Sequence, residues 1–139
     1  MSFLGVYFHN IDNNNRLVIP SAFREKLGSE FVLFKAPEGC VFMYDMETFD
    51  GMLRQVNQLS NTSEGRRQAR TFTRAARTVT QDKQGRFTVP AEFIEFAELD
   101  NGVAIEGTGH RIELWSKAEY ELQQAEESFA EENYPQIYY

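Results

Sequence analysis

The most constraining feature of this chain is an internal duplication. The segment IDNNNRLVIPSAFREK at 11–26 has the same layout as QDKQGRFTVPAEFIEF at 81–96, without any insertion between the copies. Five residues recur in register: Asp12 as Asp82, Arg16 as Arg86, Pro20 as Pro90, Phe23 as Phe93 and Glu25 as Glu95. Each copy predicts a polar turn that begins at an acid and ends at an arginine, followed by a short strand, a proline and a helix.

The duplication limits how the chain can build a core. One repeat, with four short strands, would expose sheet edges and one apolar face, so two repeats are expected to share a single core. We predict a mixed, mainly β fold in which hairpins of two ββαββ repeats interleave into a pseudo-twofold barrel, with flanking α-helices. The expected parts of one compact unit, 1–139, are a first repeat at 6–48, connecting helices at 49–76, a second repeat at 77–120 and an acidic helical tail at 121–139.

Hydrophobic periodicity places the individual elements. Strands are expected at 3–10, 17–19, 31–35, 41–44, 87–89, 103–106 and 111–115. Longer helices are expected at 46–59, 64–76 and 116–130, and short ones open at Ser21 and Ala91. Ser116 and Glu119 have the spacing of a capping box at the start of the third helix.

The two polar turns are the candidate functional loops. Asn13, Asn14 and Asn15 favour a tight turn, because asparagine tolerates positive φ and bonds to nearby backbone. Gly85 stands where the first copy has Asn15, which predicts a left-handed backbone at both positions. We expect the acids Asp12 and Asp82 to cap the turns or brace the arginines.

Charge is distributed unevenly along the chain. The formal net charge is -7, yet eight basic residues between 54 and 86 face only two acids, which gives that region a local balance of +6 and leaves -13 elsewhere. Such asymmetry permits a basic face that the whole-chain charge conceals. Four arginines, Arg66, Arg70, Arg74 and Arg77, are expected on one helical face, which we interpret as solvated or as an intersubunit partner of the acidic tail rather than as a DNA contact.

Several classes of function lack any sequence support. Cys40 is the only cysteine, so an intrachain disulfide is impossible. His9 and His110 lack metal-binding spacing, and no nucleophile or phosphate-loop motif is present. We therefore expect no catalysis, no cofactor, no metal and no small-molecule substrate. No apolar run reaches the length of a membrane span, so we expect a soluble cytoplasmic protein.

The paired motifs resemble a known family. Two copies of D-x-x-x-R followed by proline, together with Glu113-Leu114-Trp115, are similar to the MraZ family of bacterial transcriptional regulators. The resemblance extends from Phe3 to about Tyr120. Each half is also similar to the swapped-hairpin domains of AbrB and MazE. The resemblance implies a double-split β-barrel, a ring-shaped homo-oligomer, expected as an octamer or dodecamer, and binding to repeated short DNA boxes upstream of the division and cell-wall gene cluster.

The resemblance also assigns roles to the loops. It implies that Asp-x-x-x-Arg loops contact DNA, and the guanidinium of Arg16 or Arg86 can bond guanine through two N–H groups. Auxiliary or backbone contacts are expected from four neighbours: Asn13, Asn14, Lys83 and Gln84. The expected partner is double-stranded promoter DNA, and the expected location is the nucleoid.

Two alternatives compete with this interpretation. Each Asp-to-Arg pair is also compatible with a plain hairpin turn that a weak surface salt bridge holds. At the level of the whole chain, the alternative is a structural ring or interaction scaffold whose loops bind a protein carboxylate and whose acidity keeps DNA away. Salt-dependent DNA binding distinguishes regulator from scaffold, because phosphate contacts weaken steeply as salt rises.

Overall fold

The computed structural model describes residues 2–138. The first repeat runs from β1 to α2. It contains a short helix, α1, between β2 and β3 and ends with the longer helix α2. Its elements are β1 (Phe3–His9), β2 (Arg16–Val18), α1 (Ser21–Leu27), β3 (Glu30–Lys35), β4 (Val41–Asp45) and α2 (Met46–Asn57).

The second repeat follows a connecting helix and has the same order of elements. The connecting helix is α3 (Ser63–Arg74). The elements of the second repeat are β5 (Ala76–Thr80), β6 (Arg86–Thr88), α4 (Ala91–Ala97), β7 (Val103–Gly109), β8 (Ile112–Ser116) and α5 (Lys117–Glu126), with 3-10 turns at Leu99–Asn101 and Glu131–Asn133. The predicted helix at 116–130 therefore ends early, and the predicted tail ends at Tyr139, outside the described residues.

The two repeats exchange strands. A six-stranded antiparallel sheet has the order β1-β7-β8-β4-β3-β5, so the first strand of each repeat pairs with the hairpin of the other. The order reads the same from both ends when equivalent strands are matched, which defines a pseudo-twofold axis between β4 and β8. The mainly β class and the interleaving are confirmed, although this sheet is not closed into a continuous barrel.

A separate two-stranded ribbon packs on one face of this sheet. Strands β2 and β6 pair antiparallel, with Leu17 opposite Phe87. Both of these side chains are buried in the larger core, together with Phe23 and Phe93 of α1 and α4. Because neighbouring residues of a strand point to opposite faces, the residues on either side of Leu17 and Phe87 point outward.

The central strands are buried on both faces. Phe31 and Leu33 of β3 lie in the core under the ribbon, whereas Val32 and Phe34 face a second core under α2 and α3. The Phe34 ring lies 4.9 Å from that of Phe72 on α3. The long helices therefore cover the sheet face that is opposite to the ribbon.

The repeats lose their sequence register after α4. Phe31 pairs with Asp45 in the first hairpin, and Val103 pairs with Ser116 in the second. Asp45 and Ser116 each cap the helix that follows, by accepting from the backbone N–H three residues later at 3.1 Å. Phe31 therefore corresponds to Val103, two positions later than the turns predict, because the 3-10 turn Leu99–Asn101 lengthens the second copy.

One predicted helical feature is wrong. Arg77 does not share a helical face with Arg66, Arg70 and Arg74, because α3 ends at Arg74 and Arg77 lies in β5. Pairing of β5 with β3 holds this segment extended, with Arg77 opposite Leu33. The Arg77 guanidinium forms an ion pair with Glu92 of α4. Within the described chain, none of the helices is both long and apolar enough to cross a bilayer.

Candidate nucleic-acid interface

The two Asp-to-Arg turns have the same hydrogen-bonding frame. We call residues 12–16 loop 1 and residues 82–86 loop 2. In loop 1, the N–H of Asp12 donates to the Arg16 carbonyl at 3.0 Å and the N–H of Asn15 to the Asp12 carbonyl at 3.0 Å. In loop 2, the corresponding bonds from Asp82 and Gly85 measure 2.9 and 3.0 Å. The duplication in sequence is therefore a duplication of backbone geometry.

The aspartate of each loop binds both the backbone and the arginine. In loop 1, Asp12 Oδ1 accepts from the N–H groups of Asn14 at 2.8 Å and Arg16 at 2.9 Å, and Oδ2 accepts from Arg16 Nε at 3.2 Å. In loop 2, Asp82 makes the equivalent bonds to Gln84 at 2.9 Å and to Arg86 N and Nε at 3.0 and 2.8 Å. One carboxylate thus fixes the turn and aims the guanidinium.

These bonds also set the protonation of the two carboxylates. The backbone N–H of Arg16 lowers the pKa of Asp12, and the backbone N–H of Arg86 lowers the pKa of Asp82. Hydrogen bonds and the guanidinium charge act in the same direction, because both favour the ionised form. Both aspartates therefore stay charged, and the arginines stay braced, at neutral pH.

The turning residues adopt the left-handed backbone that the sequence predicts. Asn15 has φ 60° and Gly85 has φ 80°. Gly85 is buried, whereas Asn15 is exposed. The two loops therefore share a backbone but differ in what covers them.

Both arginines extend from the outer face of the ribbon. Their side chains are 39% exposed for Arg16 and 45% exposed for Arg86. Arg16 lies opposite Thr88, and Arg86 lies opposite Val18, so the two arginines are diagonal neighbours. Diagonal positions on one face of an antiparallel pair are about 7–8 Å apart.

The ribbon also couples the two loops directly. The N–H of Ile19 donates to the Gly85 carbonyl at 2.8 Å, and the N–H of Val89 donates to the Asn15 carbonyl at 2.7 Å. Each loop is therefore bonded to the strand that leaves the other loop. This reciprocal arrangement fixes the backbones of the two loops relative to each other.

The other predicted contact residues lie at the loop tips. Asn13, Asn14, Lys83 and Gln84 are all exposed. Their side chains make no hydrogen bond to any residue within 2–138 that would keep them from a ligand. Their exposure leaves them able to bind a surface laid across the ribbon.

The other candidate residues considered from the sequence lie outside the two loops. His9 ends β1, and His110 lies in the turn between β7 and β8. In the part of the chain that the structure describes, no three His, Cys, Asp or Glu side chains are grouped to hold a metal ion. Arg66, Arg70 and Arg74 lie on α3, which packs on the sheet face opposite to the ribbon.

The Glu113-Leu114-Trp115 signature has a structural role. Glu113 is only 8% exposed, accepts from Trp115 Nε1 at 3.0 Å and pairs with Arg111 Nη2 at 2.8 Å. The Arg111 guanidinium carbon in turn lies 3.7 Å from the Phe42 ring centroid. These residues fasten β8 to β4 at the pseudo-twofold axis and lie away from the loops.

Two residues beside loop 2 were not predicted from the sequence. Arg24 of α1 lies against Gly85, and Gln81 donates to the carbonyls of Arg24 at 3.0 Å and Gly28 at 2.7 Å. Both are positions where the two copies differ, since Ile94 and Ile11 are their counterparts. The signal in the sequence that could have indicated Arg24 and Gln81 is that the two copies differ at these positions.

Fold and site together define a class: duplicated strand-exchange proteins that present two aspartate-braced arginine loops on one ribbon. Comparison with known families gives the particular member of that class. The family model described as "MraZ protein" matches residues 2–74 and again residues 72–136. This chain belongs to the MraZ family.

Curated relatives agree with this assignment. A protein named "Transcriptional regulator MraZ" from Finegoldia magna is 42% identical over 123 residues, covering 86% of this chain and 84% of the relative. Its namesake from Halothermothrix orenii is 39% identical over 135 residues, covering 93% and 92%. A third, from Acetivibrio thermocellus, is 36% identical over 132 residues, covering 94% and 92%.

Proposed function

We propose that this chain is a DNA-binding transcriptional regulator whose two loops recognise repeated short boxes upstream of the division and cell-wall gene cluster. Its relatives carry the name of a transcriptional regulator, which supports the general class. The observation that supports the site is the pair of braced arginines, Arg16 and Arg86, held outward on one ribbon. The protein acts by binding, without catalysis, and works in the cytoplasm at the nucleoid.

The geometry of each arginine suits recognition of a base edge. Asp12 or Asp82 occupies Nε, so the two Nη groups remain to donate to O6 and N7 of a guanine. A guanidinium that is already braced loses less conformational freedom when it binds. Each such contact contributes about 1–3 kcal/mol of discrimination between bases.

The loop tips supply contacts that do not depend on sequence. Lys83 is the charged member, and Asn13, Asn14 and Gln84 are amide donors. Such groups bind phosphate and sugar and set the register of the protein on the duplex. Since the two arginines occupy diagonal positions of the ribbon, whose Cα atoms are typically about 7–8 Å apart, one subunit addresses one short box.

Several copies of this subunit would bind DNA more stably than one copy does. We propose a homo-oligomeric ring, an octamer or dodecamer, that engages several boxes at once. Linked sites raise the effective concentration of each loop near its next box without any new kind of contact. The exposed apolar residues of β1, namely Leu4 at 71% and Phe8 at 55%, offer a surface for neighbouring subunits.

A DNA-binding titration tests the regulator proposal. The duplex is the region upstream of this gene, and binding is measured over a series of salt concentrations. Binding through several cations must weaken steeply as salt rises. No shift of this duplex at low salt would reject the proposal in favour of a protein scaffold.

Single substitutions test the two arginines. Arg86→Ala and Arg16→Ala should each lose roughly 5- to 150-fold in affinity for the upstream duplex over a scrambled one, which corresponds to about 1–3 kcal/mol. Arg54→Ala is the matched control, because Arg54 is an exposed arginine of α2 on the opposite sheet face. Equal preference in all three variants would contradict the assignment.

A further inference from the structure

The two loops differ in the residue that lies beneath them. Helix α1 of the first repeat places Arg24 against loop 2, whereas helix α4 of the second repeat places Ile94 at the equivalent position, beside Asn15 of loop 1. The same exchange of strands that creates the pseudo-twofold fold therefore puts a cation under one loop and an apolar side chain under the other.

Arg24 is in direct contact with the turn of loop 2. A Cβ atom added to Gly85 would come within 2.8 Å of Arg24 Cδ and 2.9 Å of its guanidinium carbon. Arg24 Nε donates to the Ile19 carbonyl at 2.8 Å, and the N–H of Ile19 donates to the Gly85 carbonyl at 2.8 Å. The side chain is thus laid along the turn and fastened to it through Ile19.

Gln81 fastens the helix that bears Arg24 to the start of loop 2. Its side-chain amide donates to the carbonyls of Arg24 and Gly28, and its backbone N–H donates to the Ser29 carbonyl at 2.9 Å. The first loop has Ile11 at this position, which has no side-chain donor. Helix α1 and loop 2 therefore behave as one unit.

Part of the Arg24 guanidinium remains available. Its hydrogen bond uses Nε, and within residues 2–138 its Nη atoms have no hydrogen-bond partner and no carboxylate within 4.0 Å. The residue is half-buried, and its unpaired Nη atoms are not among the buried unpaired polar atoms of residues 2–138, so they reach solvent beside the loop. Loop 2 consequently has three cations in its neighbourhood: Lys83, Arg86 and Arg24.

Loop 1 lies beside an acidic surface. Asn15 and Ile94 line a cavity of about 710 Å³ whose wall also contains Glu95, Glu98 and Asp100, against a single cation, Lys117. Three carboxylates repel a phosphate that approaches this side. The exposed cation of loop 1 itself is Arg16 alone.

We propose that Arg24 contacts a DNA phosphate beside loop 2, and that loop 2 therefore contributes the larger share of affinity for the duplex. This inference rests on the proposed DNA-binding function and names a further residue of the same site. Arg24 also positions the loop, since its side chain occupies the space that any side chain at position 85 would need.

The salt dependence of binding isolates the charge of Arg24. The probes are a labelled duplex of the upstream region and a scrambled duplex of the same length. Removing one phosphate contact with Arg24→Gln should lower affinity for both duplexes alike and reduce the slope of log K against log salt by about 0.9. Arg24→Lys should restore the slope, because it restores the charge.

Complementary variants cover the case in which Arg24→Gln impairs folding. Glu95→Gln and Asp100→Asn remove negative charge beside loop 1 and should strengthen binding to both duplexes at low salt. Arg16→Ala should weaken binding to the upstream duplex less than Arg86→Ala does. The inference fails if the slope of a folded Arg24→Gln protein equals that of the original chain, or if the two arginine variants lose equal affinity.

The outcome also separates this inference from the function on which it rests. If the original chain binds neither duplex, the DNA-binding function itself is wrong. If it binds with a steep salt dependence that Arg24→Gln does not alter, only the role of Arg24 is wrong. The melting temperature of each variant shows whether a loss reflects the contact or the fold.

Discussion

At the scale of single residues, the candidate site depends on one aspartate carboxylate in each loop. A single carboxylate in each loop accepts two backbone N–H groups and one guanidinium Nε, so turn and side chain are fixed together. Charge-assisted bonds of this kind are stronger than neutral ones. The loops are therefore held in place although both acids are exposed, and the proposed base recognition requires such preorganisation.

Acidification should remove the stabilisation that these hydrogen bonds provide. The direction of this pH dependence follows from the lowered pKa of Asp12 and Asp82. The stabilisation is complete above the pKa of an unfolded aspartate, about 3.9, and is lost as the pH falls through the lower value of the folded chain. Carboxyl 13C NMR should show both groups titrating at lower pH in the folded protein than in urea. Identical midpoints in the two states would contradict the bracing that the hydrogen bonds indicate.

The glycine of loop 2 should tolerate substitution less well than the asparagine of loop 1. Gly85→Ala places a Cβ against Arg24 at φ 80°, so we expect it to destabilise the fold by about 1–3 kcal/mol in urea unfolding. Asn15→Ala is the matched change in loop 1 and should cost less, because position 15 is exposed and already carries a Cβ atom. Combining Gly85→Ala with Arg24→Ala should recover the steric part, and strictly additive costs would argue against the contact.

At the scale of elements, the ribbon of β2 and β6 links the core to the loops. Its inward pair, Leu17 and Phe87, is buried, while its outward positions hold the two arginines. Alternation along a strand thus gives one short element two tasks. The prolines that follow limit the ribbon to three residues per strand, because proline has no N–H for further pairing.

Much of this arrangement is readable from the sequence, and the exceptions have identifiable causes. The turns, the flanking strands and the left-handed positions follow from the local chemistry of asparagine, glycine and proline. Strand β5 was hidden because only Val79 of its five residues packs on the core under the ribbon. The contact of Arg24 with loop 2 joins different repeats, so no local pattern indicates it.

Truncation of the inward aromatic should test the ribbon as a structural element. The Phe87 ring is 5.2 Å from that of Phe31 in an edge-to-face arrangement, and Phe87 is 2% exposed. Phe87→Ala should therefore cost about 3–5 kcal/mol, measured by urea unfolding at fixed protein concentration. Thr88→Ala, the next residue on the outward face, should change stability by less than about 0.5 kcal/mol. Similar costs for both would mean that the ribbon does not close the core.

At the scale of the whole molecule, the pseudo-twofold symmetry is broken on the face opposite to the ribbon. Helix α3 covers this face in the first half, where Phe72 packs on Phe34. In the second half, the outward side chains of β1 remain exposed beside α5, with Phe8 in ring contact with Tyr120 at 5.6 Å. An apolar face on a strand with a free edge is a natural site for association.

Assembly into the proposed ring should depend on this face and should be separable from the loops. Leu4→Lys combined with Val6→Lys places two charges on the outward side of β1, where the original residues are 71% and 37% exposed. We expect light scattering to give a smaller molar mass, because a buried interface disfavours unpaired charge. Leu59→Lys is the control, since Leu59 is similarly apolar and 44% exposed but lies between α2 and α3.

The DNA measurements then connect assembly with function. Loss of the oligomer should reduce affinity for a duplex with several boxes far more than for a duplex with one, because only the former gains from linked sites. Arg16→Ala with Arg86→Ala should do the reverse, leaving the molar mass unchanged and weakening both duplexes. An unaltered mass for the β1 variant would place the subunit interface elsewhere, and equal losses on both duplexes would mean that the loops act without help from assembly.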